Sequence, residues 1–124
     1  MAINEILIAS VPVADQERAK AFYVDTLGLE LLRDAPMGPD RRWVQVGPKG
    51  GGASLTLVTW FDSMPAGSLS GLVLNSDDID ADCERLRAQG VPVEGPDDAP
   101  WGRQAVVRDP DGNGLVLMRP RRPA

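Results

Sequence analysis

The stretch DQERAKAFYVDTLG, residues 15–28, runs from an aspartate to a glycine thirteen positions later. Residues 77–90, DDIDADCERLRAQG, repeat that frame. An aspartate side chain accepts hydrogen bonds from the free N–H groups of a first helical turn. A glycine tolerates the left-handed conformation that ends many helices. Between these ends, Ala19, Phe22, Tyr23 and Leu27 fall on one helical face, as do Ile79, Cys83 and Leu86. Two helices are therefore expected. Asp15 caps one and Asp77 or Asp78 the other, and Gly28 and Gly90 close them, 62 residues apart.

Strands flank both helices. Residues 5–13, EILIASVPV, are β-rich and contain Pro12. Short strands are expected at 29–33, 42–47 and 53–60, with a loop at 35–40 and a turn at 48–52. After a linker at 61–68 the pattern returns, with strands at 69–75, from 91, at 102–108 and at 115–118. DPDGNG, 109–114, is a turn. The element order is βαβββ twice, a repeat of supersecondary units rather than of residues. The expected class is α+β. We read 124 residues as a single domain, with module one at 3–60, module two at 69–119 and a basic tail at 120–124.

Composition narrows the function. A net charge of -5 and a pI near 4.6 argue against nucleic acid, whose binding rests on Lys and Arg neutralising phosphates. The basic cluster of Arg119, Arg121 and Arg122, interleaved with Pro120 and Pro123, reads as a solvated tail. Cys83 is the sole cysteine, so no intramolecular disulfide forms, which fits a cytoplasmic location. No apolar run approaches the roughly 18 residues of a membrane span, and the N-terminus has no signal-peptide pattern. The acidic run Asp77, Asp78, Asp80, Asp82 and Glu84 lacks calcium-loop spacing and reads as charge at a helix N-terminus. GPKGGG, 47–52, lacks the order of a phosphate loop and reads as a strand-connecting turn.

Several stretches resemble one family. VPVAD (11–15), AFY (21–23) and LGLE (27–30) are similar to its first module. SDDID (76–80), AQGVPV (88–93) and RDPDGN (108–113) are similar to its second. Their order and spacing over about residues 3–119 resemble the vicinal-oxygen-chelate superfamily of glyoxalases, bleomycin-resistance proteins and extradiol dioxygenases. The resemblance implies two βαβββ modules forming an incomplete barrel around a concave cup, and a homodimer.

Family enzymes hold a divalent metal with His, Gln or Glu from four strands. The resemblance places those positions at Ile8, Thr56, Gly71 and Val116. None is a usual donor, and the chain has no histidine. Shifting each by two residues, to the next side chain on the same strand face, gives Ile6 or Ser10, Ser54 or Val58, Leu69 or Val73, and Gly114 or Met118. No carboxylate appears, so no metal and no other cofactor is expected.

The cup then reads as apolar with sparse polar points, as small-molecule sites are. Its expected lining is Ile8, Ser10, Gln45, Thr56, Val58, Gly71, Val73, Val116 and Met118. Trp60 and Trp101 are candidates for stacking flat ligands, and Arg103 for anchoring an anionic or carbonyl group. Trp43 reads as core, and Met37 as part of a loop that either covers the cup or tucks the thioether onto the core. No catalytic residue is identified. The expected function is metal-free binding of a small molecule, flat or aromatic, such as drug or metabolite sequestration. The alternatives are a lyase, isomerase or dioxygenase, with or without metal, and an interaction domain whose cup is filled by its own side chains.

Overall fold

A computed structural model describes residues 2–121. The chain divides into two compact units, with the boundary between Ala66 and Gly67. The first contains β1 (Ile8–Pro12), α1 (Gln16–Ala21), a π-helical turn (Phe22–Thr26), β2 (Glu30–Pro36), β3 (Arg42–Gly47) and β4 (Ser54–Val58). The second contains β5 (Ser70–Asn75), α2 (Ile79–Ala88), β6 (Val93–Ala99), β7 (Gly102–Arg108) and β8 (Gly114–Pro120). Each unit is an open four-stranded sheet, ordered β1-β4-β3-β2 in one and β5-β8-β7-β6 in the other. In both, the first and last strands pair in parallel and the others antiparallel. The architecture is α+β, two tandem βαβββ modules with the same internal topology.

The caps form where the sequence places them. Asp15 accepts from Glu17 N and Arg18 N at 3.0 and 3.1 Å. Asp78, not Asp77, caps α2 and accepts from Ala81 N. Gly28 and Gly90 have φ of 84° and 81°, the left-handed values a C-terminal glycine supplies. From Asp78 to Gly90 is twelve residues, against thirteen from Asp15 to Gly28. The π turn absorbs the difference, for Leu27 N bonds Phe22 O five residues back at 2.9 Å. A π turn, closed by an i→i+5 bond, accommodates one extra residue within a helix.

One face of each sheet carries the helix. In the first unit Val11, Val44, Val46 and Leu57 are fully buried with Ala19 and Tyr23. In the second, Ala105, Val107 and Leu115 are buried with Ile79, Cys83 and Leu86 of α2. Burying each large apolar side chain contributes about 1.5–3 kcal/mol. Gln16 pins α1 to the sheet by donating to Arg42 O and Leu57 O at 2.7 and 2.8 Å.

Several strand bounds differ from expectation. β1 begins at Ile8, and β4 is Ser54–Val58, shorter than 53–60. β2 continues through Pro36, into the expected loop, because its edge pairs with β3 as far as Pro36–Arg42. β6 runs through the breaker-rich GPDD as far as Ala99, because β7 holds it. A register shift between Glu94 and Asp97 accommodates Gly95 and Pro96 on this edge strand. β8 extends to Pro120, so that residue of the expected tail is strand, while Arg122–Ala124 lie outside the described residues. No helix among the described residues is long and apolar enough to cross a membrane.

Candidate functional site

The sheet face opposite each helix carries most of the candidate residues. In the first unit Ser10 pairs with Thr56, and Thr56 with Gln45. Directly paired residues project on one side, so these three form a polar row across β1, β4 and β3. Alternation along the strands puts Ile8 and Val58 on the same face. Thr56 and Val58 are buried; Ile8, Ser10 and Gln45 are half-buried.

A hydrogen-bond chain fixes this face. The Trp43 indole N–H donates to Gln45 Oε1 at 3.0 Å. The Gln45 amide donates to Ser54 Oγ at 2.7 Å. Trp43 is half-buried rather than sealed in the core, and with Arg33, Ala35, Pro36, Met37 and Gln45 it lines a cavity of about 300 Å³. Trp43 and Arg33 were not among the expected cup-lining residues, and Met37 was expected in a loop, either over the cup or tucked onto the core. Strand parity is the signal for Trp43, because it lies two residues before Gln45 and shares its side. Arg33 had no such signal, since a register shift between Leu31 and Arg33 sets its face. Trp60 lies just beyond β4, with the Arg41 guanidinium 5.5 Å from its ring centroid and Phe61 at 6.1 Å.

In the second unit Val73 pairs with Val116, and Met118 follows on the same face. Val73 is 51% exposed. Gly71 occupies a register shift between Ser70 and Leu72, with φ of 82° and open space where a side chain would project. Trp101 precedes β7 and donates its indole N–H to Gln104 Oε1 at 2.7 Å; Gln104 pairs with Met118. A tryptophan held by a neighbouring glutamine thus occurs once in each unit. Arg103 stands apart. One residue from Gln104, it projects from the α2 side, where Asp80 and Asp98 engage it at 2.9 and 3.0 Å. It lines a separate recess of about 340 Å³ with Arg119 and Gly102, and the fold does not bring it to the face of Val116 and Met118.

Ile8 and Gly71 lie seven residues before the capping aspartates Asp15 and Asp78. Among the described residues, no group of three or more His, Cys, Asp and Glu side chains is placed to hold a metal ion. Burial pushes the Cys83 thiol up from its ordinary value, and its place inside α2's apolar face makes it a packing group.

The family model described as Glyoxalase/Bleomycin resistance protein/Dioxygenase superfamily matches residues 2–117. The chain belongs to that superfamily. Among solved structures, TnmS3, an antibiotic binding protein from Streptomyces sp. CB03234, is 57% identical, with a TM-score of 0.93 over 98% of this chain and 99% of that one. YetH of Bacillus subtilis is 34% identical over 119 residues, 93% of this chain and 98% of its own. A lactoylglutathione lyase of Haemophilus influenzae is 32% identical over 124 residues, 92% of this chain and 91% of its own. Relatives that match this chain nearly end to end therefore include both an antibiotic binding protein and a lactoylglutathione lyase.

Proposed function

We propose that this chain is a metal-free small-molecule-binding protein of the glyoxalase/bleomycin-resistance type, which sequesters a flat or aromatic compound such as an antibiotic. The observation that carries this reading is the 57% identity, over 98% of the chain, to an antibiotic binding protein. The residues at the superfamily's ligand positions support it. Ile8 and Val116 have no donor atom, Gly71 has no side chain, and the Thr56 hydroxyl is a poor ligand on its own. These residues do not fit a divalent metal. A binder needs shape, apolar area and a few oriented polar groups, and the Ser10–Thr56–Gln45 row beside Trp43 supplies them. On this reading the protein works as a cytoplasmic homodimer; the ligand-facing positions are Ile8, Ser10, Gln45, Thr56 and Val58 in the first unit, and Val73, Val116 and Met118 mark the corresponding face of the second.

A second reading is a lyase, isomerase or dioxygenase, favoured by the 32% identity to a lactoylglutathione lyase. A thermal-shift screen of chelator-treated protein separates the two. A ligand at 100 times its dissociation constant adds about 2.7 kcal/mol, enough to raise the melting point by several degrees. Flat aromatic antibiotics are expected to raise it, and Ni, Zn, Mn and Fe are not. A stoichiometric metal that raises it would overturn the metal-free reading.

A further inference from the structure

We infer that Arg33 and Trp43 form an anion-selecting subsite, so that the ligand is a planar aromatic molecule carrying an acidic oxygen, a carboxylate or a phenolate. This rests on the binding function proposed above and names the chemistry of what is bound.

The register shift between Leu31 and Arg33 places Arg33 opposite Gln45. The polar row therefore extends to four strands: Arg33, Gln45, Thr56 and Ser10. A bulge commonly re-aims a side chain in this way. Arg33, Met37 and Trp43 share the 300 Å³ cavity, which is large enough for a fused pair of aromatic rings.

The donors of this cavity are unequally committed. The Trp43 N–H is used by Gln45, and the Gln45 amide by Ser54. Trp43 thus presents ring surface, which favours flat aromatic partners. The thioether of Met37 adapts to such a ring. Neighbouring cations are engaged: Lys20 and Arg42 with Asp34 and Glu17, and Arg41 with Trp60. Asp34, the acid adjacent in sequence, pairs with Val44 and projects from the helix side. The Arg33 side chain makes no hydrogen bond or ion pair with any described residue. Its planar fork of N–H donors matches a carboxylate in two-point geometry, and an aromatic wall beside it holds the ring that carries the acid.

Calorimetric titration of the full chain with 2-naphthoate and with 2-naphthamide tests the inference, since the two probes share a ring system and differ in charge. The wild type is expected to bind the carboxylate about tenfold more tightly. Arg33→Gln removes that preference and leaves 2-naphthamide binding within about twofold, while Arg33→Lys retains part of it. Because the Arg33 side chain is exposed and makes no internal bond, R33Q keeps the wild-type melting point. Equal binding of both probes, or a preference that persists in R33Q, overturns the role of Arg33 and leaves the binding function standing. No binding of either probe at millimolar concentration overturns both.

Discussion

At the scale of single residues, parity along a strand decides what each side chain can do. Gln104 and Arg103 are neighbours in β7, yet one meets Trp101 and the other meets Asp80 and Asp98. Cys83 shows the same dependence on placement. It has no accessible surface, and burial holds its thiol above the ordinary value, so thiolate is scarce at neutral pH. Native protein is predicted to resist iodoacetamide under conditions that label it fully in urea, as mass spectrometry would read. Rapid native labelling would show that α2 opens or that Cys83 is not packed. The sequence made Cys83 legible as a core residue, because Ile79 and Leu86 share its stripe. Arg33 was not legible, because an irregularity in pairing with β3 sets its direction.

At the scale of elements, a turn motif and an ion cluster hold strands in place. RDPDGN is a good turn by composition, but its work is longer in range. The buried Asn113 amide donates to Asp109 Oδ2 at 2.7 Å, while its oxygen accepts from Leu69 N at 3.0 Å. The β7–β8 turn is thereby clasped to the start of β5. Asn113→Ala is predicted to cost about 3 kcal/mol, since it leaves buried polar groups unmatched. Urea unfolding checks this: a lower midpoint with an unchanged slope supports the clasp, and an unchanged midpoint contradicts it.

In the first unit, Asp34 bonds Arg42 at 2.6 and 2.7 Å and Lys20 at 2.9 Å, tying β2 to β3 and α1. Arg42 first, then Lys20, hold its carboxyl well below the usual carboxylate range. A depressed folded value means the stabilisation is fully present above the unfolded pKa, about 3.9, and is lost as pH falls below it. Asp34→Asn is therefore predicted to melt below the wild type at pH 7, with the gap closing as pH drops from 4 toward 2. A gap independent of pH would show that the ion cluster contributes nothing. The helix ends and the strands Arg42–Gly47 and Gly102–Arg108 were legible from caps and turns. The π turn was not, because adjacent Asp77 and Asp78 both offered a cap and hid the one-residue difference between the helices.

At the scale of the whole molecule, the twofold βαβββ order carried the fold class, and stretches such as VPVAD, LGLE and RDPDGN carried the resemblance to the superfamily, with which the matched residues 2–117 agree. Function was less legible. The same fold serves binding and catalysis, so the decision falls on side chains at a few strand positions. Ile8, Thr56, Gly71 and Val116 lack the usual metal donors, and the likeness to a 57% identical antibiotic binding protein favours binding. The most direct test takes the antibiotic that gives the largest thermal shift and titrates it into chelator-treated protein to saturation. The complex is held for hours and denatured, and the ligand is recovered by liquid chromatography with mass spectrometry. Saturable binding and full recovery of unaltered antibiotic are expected, whether or not divalent metal is added. Accumulation of a product beyond one equivalent per chain, or binding that appears only with a stoichiometric metal, would contradict it.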